Sequence, residues 1–132
     1  SVTVAAVSPV TGNLGAGVDS GLPTTGTPTP YTLTFNSSGT YVYITDNQHP
    51  LVIQCAVNAS TGTFSNCGTS SMPANTTGIF FNTQGTHLHV TTPAINKVWQ
   101  CTVNASLTNN FLSCVDSGAT NLSEPFAIAF SG

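Results

Sequence analysis

An internal duplication constrains the fold of this chain more than any other feature of its sequence. Residues 34–45 (Thr-Phe-Asn-Ser-Ser-Gly-Thr-Tyr-Val-Tyr-Ile-Thr) align without a gap on residues 80–91 (Phe-Phe-Asn-Thr-Gln-Gly-Thr-His-Leu-His-Val-Thr), and residues 52–60 on residues 98–106. Phe35 and Phe81, Gly39 and Gly85, and Cys55 and Cys101 are each 46 positions apart, whereas Cys67 and Cys114 are 47 apart. Two partial copies flank this pair. Residues 2–17 overlay 52–67, with Ala5 and Gly17 at the two cysteine positions. Residues 125–132 overlay the start of the repeat, with Phe130 falling on Phe35.

Each unit reads as four short strands: a at 31–35, b at 40–46, c at 51–57 and d at 63–67. The β-branched and aromatic residues alternate, and Asn, Ser and Gly punctuate the turns. Clusters of Pro, Gly and Thr link strand d to the next strand a, and no stretch carries a helical period. Four strands in about 46 residues is the size of a propeller blade. The expected fold class is therefore all-β, as tandem four-stranded antiparallel propeller-type blades in one domain over 1–132. The expected units are a partial blade (strands c and d) at 2–21, blades at 30–68 and 78–116, and strand a of a further blade at 125–132. A flat stack or sandwich of the same hairpins would share most of these patterns.

Composition narrows the partners. The 132 residues contain one Lys, no Arg and four acids, for a net charge of −3. That is incompatible with a surface that tracks phosphates, so no nucleic acid is expected. The longest apolar runs are a few residues, too short for membrane insertion as a helix. The four cysteines fall into two local pairs, each separated by a polar, turn-forming stretch. The expectation is two hairpin disulfides, Cys55–Cys67 and Cys101–Cys114. A four-cysteine zinc site would call for closely spaced knuckles, which the sequence lacks. Closing a loop of about 12 residues contributes on the order of 3 kcal/mol in the chain-entropy picture. Paired cysteines imply an oxidising compartment, and hence a secreted, extracellular or cell-surface protein. The N-terminus reads as that of a mature chain whose leader has been removed.

The segment Gly39-Thr40-Tyr41-Val42-Tyr43-Ile44-Thr45-Asp46 resembles the repeat of the YVTN-type β-propellers, in which a turn glycine precedes Tyr-Val-Thr-Asn on the second strand. The cysteine-bracketed hairpin with its Gly-Thr-Phe centre is similar to bacterial secreted members of that group. Repeat two departs from the motif, with His89-Val90-Thr91-Thr92. The resemblance implies a seven-bladed, lactonase-like fold group that also contains surface proteins without known chemistry. Fold alone therefore does not decide the function.

Counted as blades, the chain falls short of the four or more that a closed propeller needs. The expectation is head-to-tail self-assembly through sheet edges, with the assembly residues Phe126, Ile128 and Phe130 of one copy docking near Val2 and Val4 of another. Such a contact closes into a ring or runs on as a filament. The competing expectation is a piece of a longer propeller. The preferred function is accordingly a structural or adhesive homo-oligomeric subunit. A carbohydrate-binding module is the alternative and a lactonase-like hydrolase the third.

Candidate sites are sparse. His87 and His89 form an H-x-H on strand b, facing one way, and are candidate metal ligands. Tyr41 and Tyr43 stand at the matching positions of repeat one, which already supplies an aromatic-packing role. The pair also offers a pH-sensitive contact, since imidazole titrates near pH 6.5. Trp99, Tyr41 and Tyr43 are candidate stacking platforms for glycans, although Trp99 aligns with Ile53, a packing position. Five sequons, at Asn36, Asn58, Asn75, Asn104 and Asn121, are candidate glycosylation sites, and the Thr/Pro loop 24–30 is a candidate for O-glycans. The acids are scattered, no G-x-S-x-G elbow occurs, and no cofactor or catalytic residue is assigned.

Overall fold

The repeats become sheets through their turns. In each a–b turn an asparagine side chain organises the reversal: Asn36 Oδ1 accepts from Tyr41 N at 3.0 Å, and Asn82 Oδ1 from His87 N at 3.0 Å. The amide nitrogens donate to Thr40 and Thr86. Gly39 and Gly85 close the two turns at φ 70°, a left-handed conformation that glycine adopts without steric cost. The c–d turns repeat in the same manner. Gly62 N donates to Asn58 O and Gly12 N to Ser8 O, both glycines again having positive φ.

The computed structural model, which describes residues 1–23 and 28–128, is all-β with antiparallel sheets. A short ribbon pairs β1 (Thr3–Val4) with β2 (Val18–Asp19), and a bridge between Val7 and Leu14 extends it. The first four-stranded sheet runs β3 (Pro30–Phe35), β4 (Tyr41–Asp46), β5 (Leu51–Val57), β6 (Phe64–Ser71), in that spatial order. The second sheet runs β7 (Ile79–Phe81), β8 (Leu88–Thr92), β9 (Lys97–Val103), β10 (Leu112–Asp116). A single 3-10 turn, Pro93–Ile95, precedes β9. Neither sheet closes on itself, so the described residues form propeller-type blades without a closed ring.

Two apolar layers hold the three units together. Between the sheets lie Tyr43, Val52 and Met72 of the first and Ile79, Leu88, Val90, Cys101 and Phe111 of the second. Between ribbon and first sheet lie Leu22, Val42, Ile44, Ile53, Cys55 and Phe64, with Val2 and Val4 packed against them. The two contacts are built alike. Phe64 N donates to Ser20 O, and Leu112 N donates to Ser70 Oγ, fifty residues on from Ser20. Leu22 and Met72, again fifty apart, are both buried. The ribbon thus sits against the first sheet as the β5–β6 hairpin sits against the second.

Each hairpin carries one disulfide, Cys55–Cys67 with Cα atoms 4.1 Å apart and Cys101–Cys114 at 4.0 Å. Such close approach requires cysteines opposite each other across the strands. Cys101 pairs directly with Cys114 in the ladder. Cys67 reaches Cys55 beside a bulge where Asn66 takes a positive φ.

Strand d of the first blade is longer than its sequence implies. β6 continues past Cys67 to Ser71, because residues 68–71 pair with β5 and are also held by the second blade. Thr69 N donates to Asn109 Oδ1, and Asn110 N to Thr69 O. Hydroxyls lock the inner strands: Thr32 and Thr45 both donate to the carbonyl of Thr77.

Candidate functional site

The most elaborate polar cluster forms where β4 ends. Asp46 is 1 % exposed, yet its carboxylate accepts hydrogen bonds from Thr29 N, the Thr29 hydroxyl, Gln48 N at 2.9 Å and His49 Nδ1 at 2.9 Å. Burial alone would raise the Asp46 pKa. The bonds from the Thr29 hydroxyl and the surrounding amides outweigh it and hold the group below the usual carboxylate range. On the backbone side, Thr76 bridges Asp46 to Leu51. Asp46 and the half-exposed His49 border a cleft of about 380 Å³ walled by Leu22, Pro23, Pro28, Leu51 and Ile53. The sequence marks Asp46 as the end of strand b but gives no sign of this cluster. Its partners at 29 and 76 come from the links before and after the blade, and only the fold assembles them.

The aromatic candidates turn inward. Tyr43 is 1 % exposed, donates its hydroxyl to Gln54 Oε1 at 2.8 Å, and meets Phe81 edge-on with ring centroids 5.5 Å apart. Burial, with Tyr41 beside it, pushes its phenol up to about 12. This corrects the expectation of a glycan platform at Tyr43: its ring is consumed by packing between the sheets. Tyr41 and Trp99 are partly buried and packed against the same core. Trp99 Nε1 donates to Thr92 Oγ1, so its indole serves the seam between the sheets.

The histidines lie on the far side of the second sheet. Register places Phe80, His89, Gln100 and Val115 in one row across that sheet. The matching row of the first sheet is Thr34, Tyr43, Gln54 and Gly68. The first-sheet row is covered by the second blade, with Gln54 Nε2 donating to Leu107 O. At Gly68 a Cβ would fall 1.9 Å from Thr108 O, so the position admits no side chain. In the second-sheet row Val115 is largely exposed. Burial, and then the neighbouring His87, lower the pKa of His89. Among the described residues, no three His, Cys, Asp or Glu side chains converge as a metal site.

The assembly candidates divide. Val2 and Val4 are partly buried on the face of the first sheet within their own chain. This corrects their placement at a contact between copies: their side chains are already spent inside one molecule. Phe126 is about half exposed and Ile128 partly buried, while Phe130 lies outside the described residues. The tail runs beside the second blade. A Cβ on Gly78 would meet Ala127 Cα and Phe126 O, both at 2.9 Å. Residues 125–128 thus approach the start of β7 much as the segment around Thr77 approaches β3. The repeat has threonine at the counterpart of Gly78, Thr32, whose hydroxyl bonds Thr77 O.

Of the sequons, Asn58, Asn104 and Asn121 are exposed, whereas Asn36 and Asn75 are half-buried. The amides of Asn36 and Asn75 donate to Thr40 Oγ1 and Asn47 O. Of the Thr/Pro loop, residues 24–27 lie outside the described residues. Two disulfides fit an oxidising, extracellular-type environment. Among the described residues no helix is long and apolar enough to cross a membrane.

No family model matches the sequence, and no curated protein matches it. Among solved structures, the chain is similar to a protein of Bacteroides fragilis NCTC 9343 provisionally assigned as a 6-phosphogluconolactonase. The TM-score is 0.64 over 98 % of this chain, at 15 % identity. The match covers 36 % of that structure, so this chain spans about a third of its length. At that identity the likeness shows the fold alone, a propeller-like all-β architecture, and nothing of the chemistry.

Proposed function

We propose that this chain is a secreted structural subunit, a stack of YVTN-type blades continued head to tail by further copies of itself. Its units are the partial blade at 2–21, the blades at 30–68 and 78–116, and the opening strand of another at 125–132. One observation carries the reading. Leu33 and Phe35 on the first sheet are 38 % and 45 % exposed, whereas their counterparts in the second sheet, Ile79 and Phe81, are 5 % exposed and partly buried against the neighbouring blade. Apolar blade faces of this kind are stable only when stacked. At the other end, Val115 stands at the repeat position shared by Val18 and Gly68, and is a valine there as in the ribbon. The face there is of the kind the ribbon already presents to the first sheet, which supports stacking by a contact the molecule uses internally. Sheet order refines the mode of contact. An inner strand hydrogen-bonds only to strand b, never to strand c, so the tail cannot join the ribbon directly as its inner strand.

Sedimentation over a concentration series tests the reading. Wild-type chain is expected to form particles larger than 13.5 kDa. Phe35→Asp and Val115→Asp should each block one end, and a mixture of the two should stop at a dimer. A monodisperse wild-type monomer would refute the proposal. A second reading, hydrolysis of a lactone, is favoured by the Asp46–His49 pair at its cleft and by the name of the structural neighbour. Lactone turnover that is lost in both Asp46→Asn and His49→Gln would establish it.

A further inference from the structure

The duplication supplies an internal standard for the cleft beside Asp46. The second blade meets the first through the same repeat positions that the first blade turns toward the ribbon. In the seam between the blades, Trp99 and Met72 fill the space. Trp99 packs against the core and donates Nε1 to Thr92 Oγ1 at 2.9 Å, while Met72 Sδ lies 3.8 Å from Cys114 Sγ. The counterparts in the ribbon seam are smaller. Ile53 stands for Trp99, Leu22 for Met72 and Cys67 for Cys114, and all three line the cleft of about 380 Å³. One seam thus leaves open the room that an indole ring takes in the other.

The polar end of the space changes in step. Thr92, which accepts the indole N–H, is replaced by Asp46, and Ile95 by His49. Blade architecture does not require an acid and an imidazole here, since the other copy does without them. The Asp46 carboxylate is already occupied by Thr29, Gln48 and His49 and has little left to offer a ligand. His49 donates Nδ1–H to it at 2.9 Å, which leaves Nε2 as the acceptor of the neutral ring, on a half-exposed side chain that lines the cleft. We propose that the cleft binds a small planar heteroaromatic molecule of the size of indole, seated where Trp99 sits in the other seam and donating its ring N–H to His49 Nε2. The cleft lies within the range of small-molecule sites, roughly 300–1,000 Å³, and about 150 Å³ of apolar space already admits benzene. Leu22, Leu51 and Ile53 supply apolar contact, and His49 supplies orientation.

The probe is indole itself, titrated into the wild-type chain and into Val115→Asp, in which assembly is blocked at one end. Saturable shifts are expected in the methyl resonances of Leu22, Leu51 and Ile53. Ile53→Trp, which gives this seam the residue of the other, should abolish binding while the chain keeps the dispersed spectrum of a folded protein. Benzofuran, the isostere of indole without the N–H, should bind about three- to tenfold more weakly, a comparison that needs no variant. His49→Phe should bring indole down to the benzofuran level. Absence of saturable binding to both chains, shifts centred elsewhere, undiminished binding by folded Ile53→Trp, or equal affinity for indole and benzofuran overturns the inference. The cleft is the one invoked for lactone hydrolysis, and the two outcomes separate because indole has no bond to hydrolyse. Lactone turnover without indole binding keeps the hydrolytic reading and overturns this one. Indole binding without turnover does the reverse, whatever the sedimentation result.

Discussion

Asp46 shows how a chain with so little charge uses the charge it has. The carboxylate is buried, and water is replaced around it by Thr29, Gln48 and His49, which tie the linker before the blade to the turn after strand b. Asp46→Asn replaces an acceptor with a donor facing donors, and should cost about 1–3 kcal/mol in chemical denaturation. Because the folded pKa lies below the unfolded one, this contribution is complete above the ordinary carboxylate pKa and is lost as pH falls through the folded value. His89 acts in the same direction in a different window. Its folded pKa is depressed by burial and by His87, so the unfolded chain binds the proton more readily as pH falls below about 6.5. Thermal stability should therefore be lower at about pH 5 than at about pH 7.5, with His89→Gln flattening that slope. Gly78 makes a third case. Its missing Cβ leaves room for the backbone of residues 126 and 127, and Gly78→Ala should cost roughly 1–3 kcal/mol and expose the tail to limited proteolysis.

The hairpin is the element that carries the repeat. Its turn chemistry is local: an asparagine caps its own reversal and a glycine supplies the left-handed residue. The disulfides act at this scale too, since each spans a single hairpin. Removing one by a Cys55→Ser, Cys67→Ser double change should lower stability by about 3 kcal/mol, read as a shift in denaturation midpoint. The ribbon keeps its form without such a bond, with Ala5 and Gly17 at the cysteine positions, because Val2 and Val4 are anchored on the first sheet. β7 shows the converse: it is only three residues long, and the close approach of residues 126–127 at Gly78 marks where it begins.

For the whole molecule, what matters is how faces are matched. One sheet-to-sheet seam is complete, with Tyr43, Phe81 and Phe111 interlocked in it. The ribbon-to-sheet seam repeats its outer half and omits its inner half. The consequence is a surface with exposed leucine and phenylalanine and almost no charge to discourage pairing, a combination that favours association. If that association is through stacked blades, it should be nearly insensitive to salt, because a single exposed ion pair, Lys97 with Asp116, accounts for the only lysine. Sedimentation at low and high ionic strength checks this, with unchanged particle size as the expected result.

The strands of the two four-stranded sheets and the all-β class were legible in the sequence, because they depend on alternation and on turn residues that act within a few positions of themselves. The duplication made them doubly so, each unit vouching for the other. The length of β6, the burial of Tyr43 and the cluster at Asp46 were not legible. Each is decided by groups far away along the chain: Asn109 and Leu112 on β6, Phe81 and Phe111 on Tyr43, Thr29 and Thr76 on Asp46. Nor could repeat alignment alone distinguish Gly68, which must lack a side chain to admit a neighbouring carbonyl, from Val115, which keeps one on an open face. Local sequence dictates which residues form a blade. Only the stacking of blades in space determines which of their faces are buried, because burial is a property of the neighbour as much as of the residue.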